Sequence, residues 1–460
     1  MMHVKSGLLA AWLLFSPGIV CPGQAARAAS IYPKIPVPVG EVPQDDSVRR
    51  AAQLVADRKP DEALAVLRGA AKAHPDWPPL RLILARMHSS AGQAPQTLRS
   101  LELAAAEAPD DPRVYQCFAA LALADGRLSD ARLNCEKMLG ALEQAPARLS
   151  PEVARGVRRE ARAGLVAVAE SRDDWQGAEP HFRAWLVDDP KNAAIRRRFG
   201  LALFRNGKVD EAFRELKQAR ADDPKLDPAG LTMAWLYGKA GDAGKAGEWF
   251  AYAQTLDPRD VRIPLARARW LIDVGRPGEA RAAAAEAEKL DPGSRTVAQL
   301  RGVIAWHLHD FAAAERTLEE QHRESPGDLV VADLLARSLI EQDDPAKHAR
   351  GLELAEVNAR QAPRSPEALT TLGRAHYRLG HRSQAETLLR ACIVDGQSSA
   401  DAAYFLARLL ADGNRNNEAR ALLEPVAALR GGFVFKEEAQ QLLEALRGGH
   451  TTPHPPTAGP

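Results

Sequence analysis

The chain has 460 residues, with 61 Lys+Arg against 60 Asp+Glu and a formal net charge of +1. That balance excludes a nucleic-acid binder working by bulk positive charge, and four cysteines exclude a disulfide scaffold or a multi-cysteine zinc array. With 45% apolar and 26% charged residues the composition is that of a globular chain, long enough for about three ordinary domains.

Residues 1–28 read as a secretory signal peptide. Lys5 supplies the positive start, and GLLAAWLLFSPGIV over 7–20 is too short, and too broken by Pro17 and Gly18, to span a membrane. Ala26-Arg27-Ala28 gives the small-x-small exit, with Ala25 as a second one. A lipid anchor on Cys21 would want a small residue just before it and Leu at minus three, where Val20 and Gly18 stand. No later apolar run reaches the roughly 18 residues of a spanning helix. Residues 29–43 carry four prolines and form an extended linker.

The next and longest stretch is periodic. Pro190, Pro224, Pro258, Pro292 and Pro326 lie 34 residues apart, as do Pro75 and Pro109. Internal self-similarity of this period signals stacked supersecondary units. With that proline as position 32, position 20 reads Ala63, Thr97, Ala131, Ala178, Ala212, Ala246, Ala280, Ala314, Gly351, Ala385 and Ala419. Position 8 reads Ala51, Ala85, Ala119, Val166, Gly200, Ala234, Ala268, Gly302, Ala336, Gly373 and Ala407. Two small columns twelve residues apart let two antiparallel helices approach closely. Position 24 is large where it fills the space between them, as at Leu216, Phe250 and Leu389. Gly92, Gly126, Gly207, Gly241, Gly275 and Gly380 stand at position 15, where a left-handed residue ends the first helix. Each unit is therefore helix, short turn, helix, proline stop.

These columns resemble the tetratricopeptide repeat family, with its W-x2-L-G-x2-Y, then A-x3-F, then A and P. The best single match is residues 366–399, with Leu369, Leu372, Gly373, His376-Tyr377, Gly380, Ala385 and Leu389. Residues 193–226 follow with Phe199-Gly200, Leu203, Gly207, Ala212, Leu216, Ala219 and Pro224. The resemblance covers residues 44–433 as about eleven repeats. It implies an all-α fold: a right-handed superhelical solenoid whose first helices line a concave groove. An insertion near 143–158 lengthens one first helix or precedes it with a loop, and three extra residues fall around Glu341–Lys347. Residues 434–447 are expected to be a capping helix, with Phe435, Ala439, Leu442 and Leu443 towards the stack. Residues 448–460 form a disordered tail.

Chemistry is sparse. There is no phosphate-binding glycine loop, and His307 and His309 lie two apart beside Asp310, so on a helix they face different ways. No cofactor, metal or catalytic set is expected. Cys117 and Cys135 sit on the two helices of one unit. An oxidising compartment leaves both a disulfide and two buried thiols open, while Cys392 reads as core. Trp185, Trp249 and Trp270 fall on packing columns, whereas Trp235, Trp306 and Tyr377 fall at positions 9 or 12, on the groove face. Position 9 also carries Arg86, Arg269, Arg337, Arg374 and Arg408, and Tyr404 occupies position 5. Lys at position 5, which chaperone-binding members of the family pair with Asn or Arg at position 9, is absent at Asp333, Thr370 and Tyr404.

The candidate binding residues are Arg269, Trp306, Arg337, Arg374, Tyr377, Tyr404 and Arg408. Forked guanidinium donors suit carboxylates, so one reading is a groove for acidic peptides or an anionic polymer. The other is an arginine ladder paired with neighbours such as Asp333 and Glu341. The function the resemblance implies is a non-catalytic scaffold for protein or peptide partners, periplasmic or secreted, associated with envelope complexes for outer-membrane assembly, pilus building or exopolysaccharide export. No nucleic-acid partner and no transmembrane span are expected. The alternatives are a carbohydrate-binding module using the groove aromatics and, without export, a cytoplasmic secretion chaperone.

Overall fold

A computed structural model describes residues 45–74, 77–145, 149–393, 399–429 and 431–448. The expected signal peptide, the linker and all of the tail except Gly448 lie outside the described residues, as do residues 146–148 of the insertion. The described residues hold twenty-three helices and no strand, running as eleven consecutive hairpins and one last helix. None of these helices is long and apolar enough to cross a membrane. They fall into two compact units: five hairpins over 45–229, and six hairpins with the last helix over 230–448.

One hairpin explains the rest. Ser365 caps its first helix, Pro366–Arg378, by accepting the Ala368 amide at 3.2 Å. At Gly380, φ of +78° turns the chain, and the His381 amide closes the cap on the His376 carbonyl at 2.8 Å. The second helix, Arg382–Ala391, then packs back on the first. Every residue of the position-8 and position-20 columns is buried. The reason for smallness is steric: a Cβ built on Gly373 would stand 2.8 Å from Leu389 Cγ. Gly200 meets Leu216 Cγ at 2.8 Å and Gly302 meets Leu318 Cγ at 2.9 Å in the same way. Position 8 of one helix thus receives position 24 of the next.

The turn is more uniform than its glycines. Arg58, Asp173, His309 and Asn414 occupy position 15 of four of the five units without glycine there, and all four have φ between 54° and 61°; the fifth, with the extra residues near 341–347, has no residue of positive φ at its turn. In ten of the eleven units the left-handed cap is thus imposed by the hairpin, which glycine makes easy and other residues adopt under strain.

The departures resolve simply. The insertion lengthens a first helix, Pro151–Ser171, to 21 residues, and its extra turns bury Val157 and Ala161 near Met138, Leu142 and Leu149. The additional residues near 341–347 lengthen a second helix, Pro345–Gln361, whose start is capped by Asp344. The last helix spans Lys436–Gly448 and buries Ala439, Leu443 and Leu446. Leu442 is only partly buried, and Gly448 belongs to this helix rather than to the tail.

Cys117 and Cys135 are both free and buried, in separate apolar clusters. The disulfide reading is therefore replaced by two thiols. Trp185 and Trp270 are buried packing residues, and Trp249 is partly buried against the Trp270 cluster.

Candidate functional site

The arginine column of the 230–448 unit is drawn inward. Arg374 has no exposed surface, and its Nη2 donates to Glu341 Oε1 at 2.9 Å. Arg378 shares the same carboxylate. Burial works to raise Glu341, but the two cations outweigh it and hold the carboxyl below its usual range. Arg337 donates through Nε to Thr371 Oγ1 at 3.0 Å and forms an ion pair with the Asp333 carboxylate at 2.7 Å. Asp401 stands 3.9 Å from both Arg337 and Arg374, so two stacked cations share one anion between them. Arg408 donates to the Tyr404 hydroxyl at 3.1 Å, and the Tyr377 hydroxyl donates to Asp412 at 2.7 Å. Arg269, half-buried, lies in the field of Asp273, one helical turn on. These pairings describe the ladder reading of the column. Arg374 is too deep to meet a ligand unless something above it moves.

What lies above it is the chain itself. Residues 431–435, Gly-Gly-Phe-Val-Phe, leave the last hairpin and cross the first-helix face back to the hairpin that starts at Arg262. The Gly432 amide donates to the Asp273 carbonyl at 2.9 Å. His309 Nε2 lies 3.0 Å from the Val434 carbonyl, which can only accept, so that nitrogen carries the proton. Phe435 is buried and stacks on Tyr404 at 5.5 Å, with ring edges of Phe405 at 5.2 Å and Trp306 at 5.8 Å. The Arg374 guanidinium sits over the rings of Phe405, Trp306 and Phe435 at 4.2, 5.1 and 5.3 Å.

Gly432 is the only residue type this approach tolerates, because a Cβ there would overlap the Ile272 carbonyl oxygen. Sequence reasoning placed Phe435 on a capping helix and missed the crossing segment. The one available signal was the Gly-Gly pair set directly before alternating aromatics.

The structure therefore brings Trp306, Arg374, Tyr404 and Arg408 to one place, beneath and beside residues 431–435. Trp306 is buried rather than presented as an open platform. Tyr377 adjoins the same cluster, whereas Trp235 stands apart with Lys239 over its ring at 5.1 Å. His307 and His309 diverge as expected: His309 is the left-handed turn residue, and burial pushes His307 down to about 4. A cleft of about 260 Å³ beside Tyr404, Arg408, Asp412 and Glu438 stays open.

Models of the tetratricopeptide repeat match residues 54–122 and, with a second model, residues 163–227, 265–328 and 370–431. No curated protein matches the chain in sequence. Among solved structures it is similar to the APC/C hetero-tetramer Cut9–Hcn1, at 12% identity and a TM-score of 0.41, covering 88% of this chain and 96% of that one. Yeast Tom70 gives 16% identity, a TM-score of 0.37 and coverage of 88% and 95%. Pseudomonas aeruginosa PilF gives 19%, 0.34, and coverage of 45% and 91%.

Proposed function

The chain belongs to the tetratricopeptide repeat family, and from that premise we propose that it is a non-catalytic scaffold of the bacterial cell envelope that holds peptide segments of protein partners on its first-helix face. That it is a protein-interaction scaffold follows from the repeats themselves. The peptide-holding part of the reading is supported by one observation: the face already holds a bent segment, residues 431–435, by a backbone amide, a backbone carbonyl and an aromatic ring. Backbone hydrogen bonds with a side-chain pocket are a common way for surfaces to recognise peptides. The paired arginines serve this reading as framework, so an acidic partner is not required. Sugar stacking is the weaker alternative, because Trp306 is buried under Phe435 and the Tyr377 hydroxyl is engaged by Asp412.

Export rests on residues 1–28 alone. Fractionation with N-terminal sequencing tests it, and a mature chain starting near Ala29 is the expected result. The scaffold reading is tested by a photo-crosslinking amino acid at Gln441, beside the open cleft, with Val357 on an outer helix as control. Protein adducts from Gln441 and not from Val357 are expected in the cells that make the protein. Equal adducts from both would contradict it.

A further inference from the structure

We propose that the first-helix face of the 230–448 unit is a receptor for a short, bent peptide bearing an aromatic residue, and that Gly431–Phe435 occupies it as an intramolecular competitor. The inference rests on the scaffold reading and names both the ligand class and its control.

Three features distinguish this segment from an ordinary connection. First, its polar fixings are few and come from its backbone: the Gly432 amide on Asp273 and the Val434 carbonyl on His309. The Phe433 amide closes on the Gly431 carbonyl at 3.0 Å, and another chain bent along this path would supply the same two groups. Second, one side chain provides the anchor. Phe435 closes the ring wall of Trp306, Tyr404 and Phe405 and stands on the Arg374 guanidinium. Phe433, by contrast, is only partly buried. The specificity of the site is thus for one planar ring against other rings and a cation.

Third, the arrangement under the segment is incompletely satisfied. Arg374 Nε and Nη1 have no hydrogen-bond partner although the side chain is fully buried. A buried donor left unpaired costs free energy. Of the three rings around this guanidinium, two belong to helices of the stack and one, Phe435, arrives at the end of the Gly431–Gly432 approach. A competing peptide that brings its own aromatic ring would keep the contact, and an acceptor carried beside that ring would meet the free donors. Occupation by a tethered segment lowers the apparent affinity for an external peptide by the fraction of molecules in which the face is vacant.

The probe is fluorescein-labelled Gly-Gly-Phe-Val-Phe, with Gly-Gly-Ala-Val-Ala as the control, titrated into the full chain by anisotropy. Gly432→Val drives a side chain into the Ile272 carbonyl and displaces the segment while leaving the helix columns untouched. Binding of the aromatic probe about tenfold or more tighter than by wild type, with none of the alanine peptide, is expected. A folded Gly432→Val chain that binds no tighter than wild type, or that takes both peptides equally, overturns the proposal. If Gly432→Val does not fold, His309→Gly is read by the same criterion, since it keeps the turn and removes the anchor on Val434. A partner crosslinked from Gln441 while the probe fails overturns this inference alone. Failure of both removes the scaffold reading as well.

Discussion

Gly373 and Leu389 face each other so closely that a Cβ on the glycine would lie 2.8 Å from Leu389 Cγ. Glycine in a helix interior is ordinarily a weakness of roughly 0.5–1 kcal/mol relative to alanine. Here the sign reverses. Gly373→Ala and Gly302→Ala are expected to destabilise, whereas Gly140→Ala, with nothing within 4 Å of its Cβ, is expected to stabilise by about that amount. In the second column, Ala246→Leu and Ala280→Leu are expected to cost roughly 1–3 kcal/mol by overpacking. Urea unfolding checks all five, and no difference between Gly140→Ala and Gly373→Ala would contradict the register.

The left-handed turns give a second contrast. Arg58 and Asp173 hold φ of 61° and 54°, a conformation costing on the order of 1 kcal/mol for residues with a Cβ. Arg58→Gly and Asp173→Gly are expected to raise the melting temperature, and Asn414→Gly to raise it least because asparagine tolerates this region. Gly207→Ala should lower it. Scanning calorimetry decides.

Much of this architecture is legible in the residues alone, because each hairpin is built from neighbours in sequence. The small columns, the proline stops and six of the turns repeat at a fixed interval. The turns at Arg58 and His309 were not legible, since their conformation is imposed by the hairpin rather than preferred by the residue. The arginine column could be read as a column but not as a buried one. Arg374 is enclosed by Trp306, Phe405 and Phe435, which come from two different hairpins and the crossing segment and obey no period. The crossing of Gly432 to Asp273 is longer-ranged still, and only the close approach at Ile272 explains its glycine.

Two partly buried groups titrate in opposite senses. His307 is held down to about 4 from an ordinary 6.5, first by burial and then by His309 and Arg337 against Asp401. Its contribution is present above pH 6.5 and is lost as pH falls towards 4. Asp273 is raised by burial to about 6 from 3.8, against Arg269 and Lys239. Its contribution is present below pH 3.8 and is lost as pH rises through 6. His307→Gln is therefore expected to flatten the fall in melting temperature between pH 6.5 and 4. Asp273→Asn should gain stability at pH 7.5 and lose that advantage near pH 4. Parallel pH profiles for both variants and wild type would contradict these assignments.

Burial pushes the thiols of Cys117 and Cys135 up to about 12, so neither offers thiolate at neutral pH. Both are expected to resist a disulfide-exchange reagent in the native protein and to react at once on unfolding. Peptide mapping without reductant should find them unlinked. Rapid native labelling of either would count against the packing around Gly164, where a Cβ would stand 2.5 Å from Cys135 Sγ.

The claim that a peptide-holding face is occupied by the chain's own segment is tested most directly by hydrogen exchange at the Gly432 amide in the full-length protein. With that amide donating to the Asp273 carbonyl at 2.9 Å, exchange should be slowed well below that of an unstructured peptide. In Gly432→Val the corresponding amide should exchange freely, and the first helices Arg295–His307 and Ala400–Asp412 should lose protection where the segment crosses them. Free exchange at Gly432 in the wild-type chain, with those helices protected as before, would contradict the account.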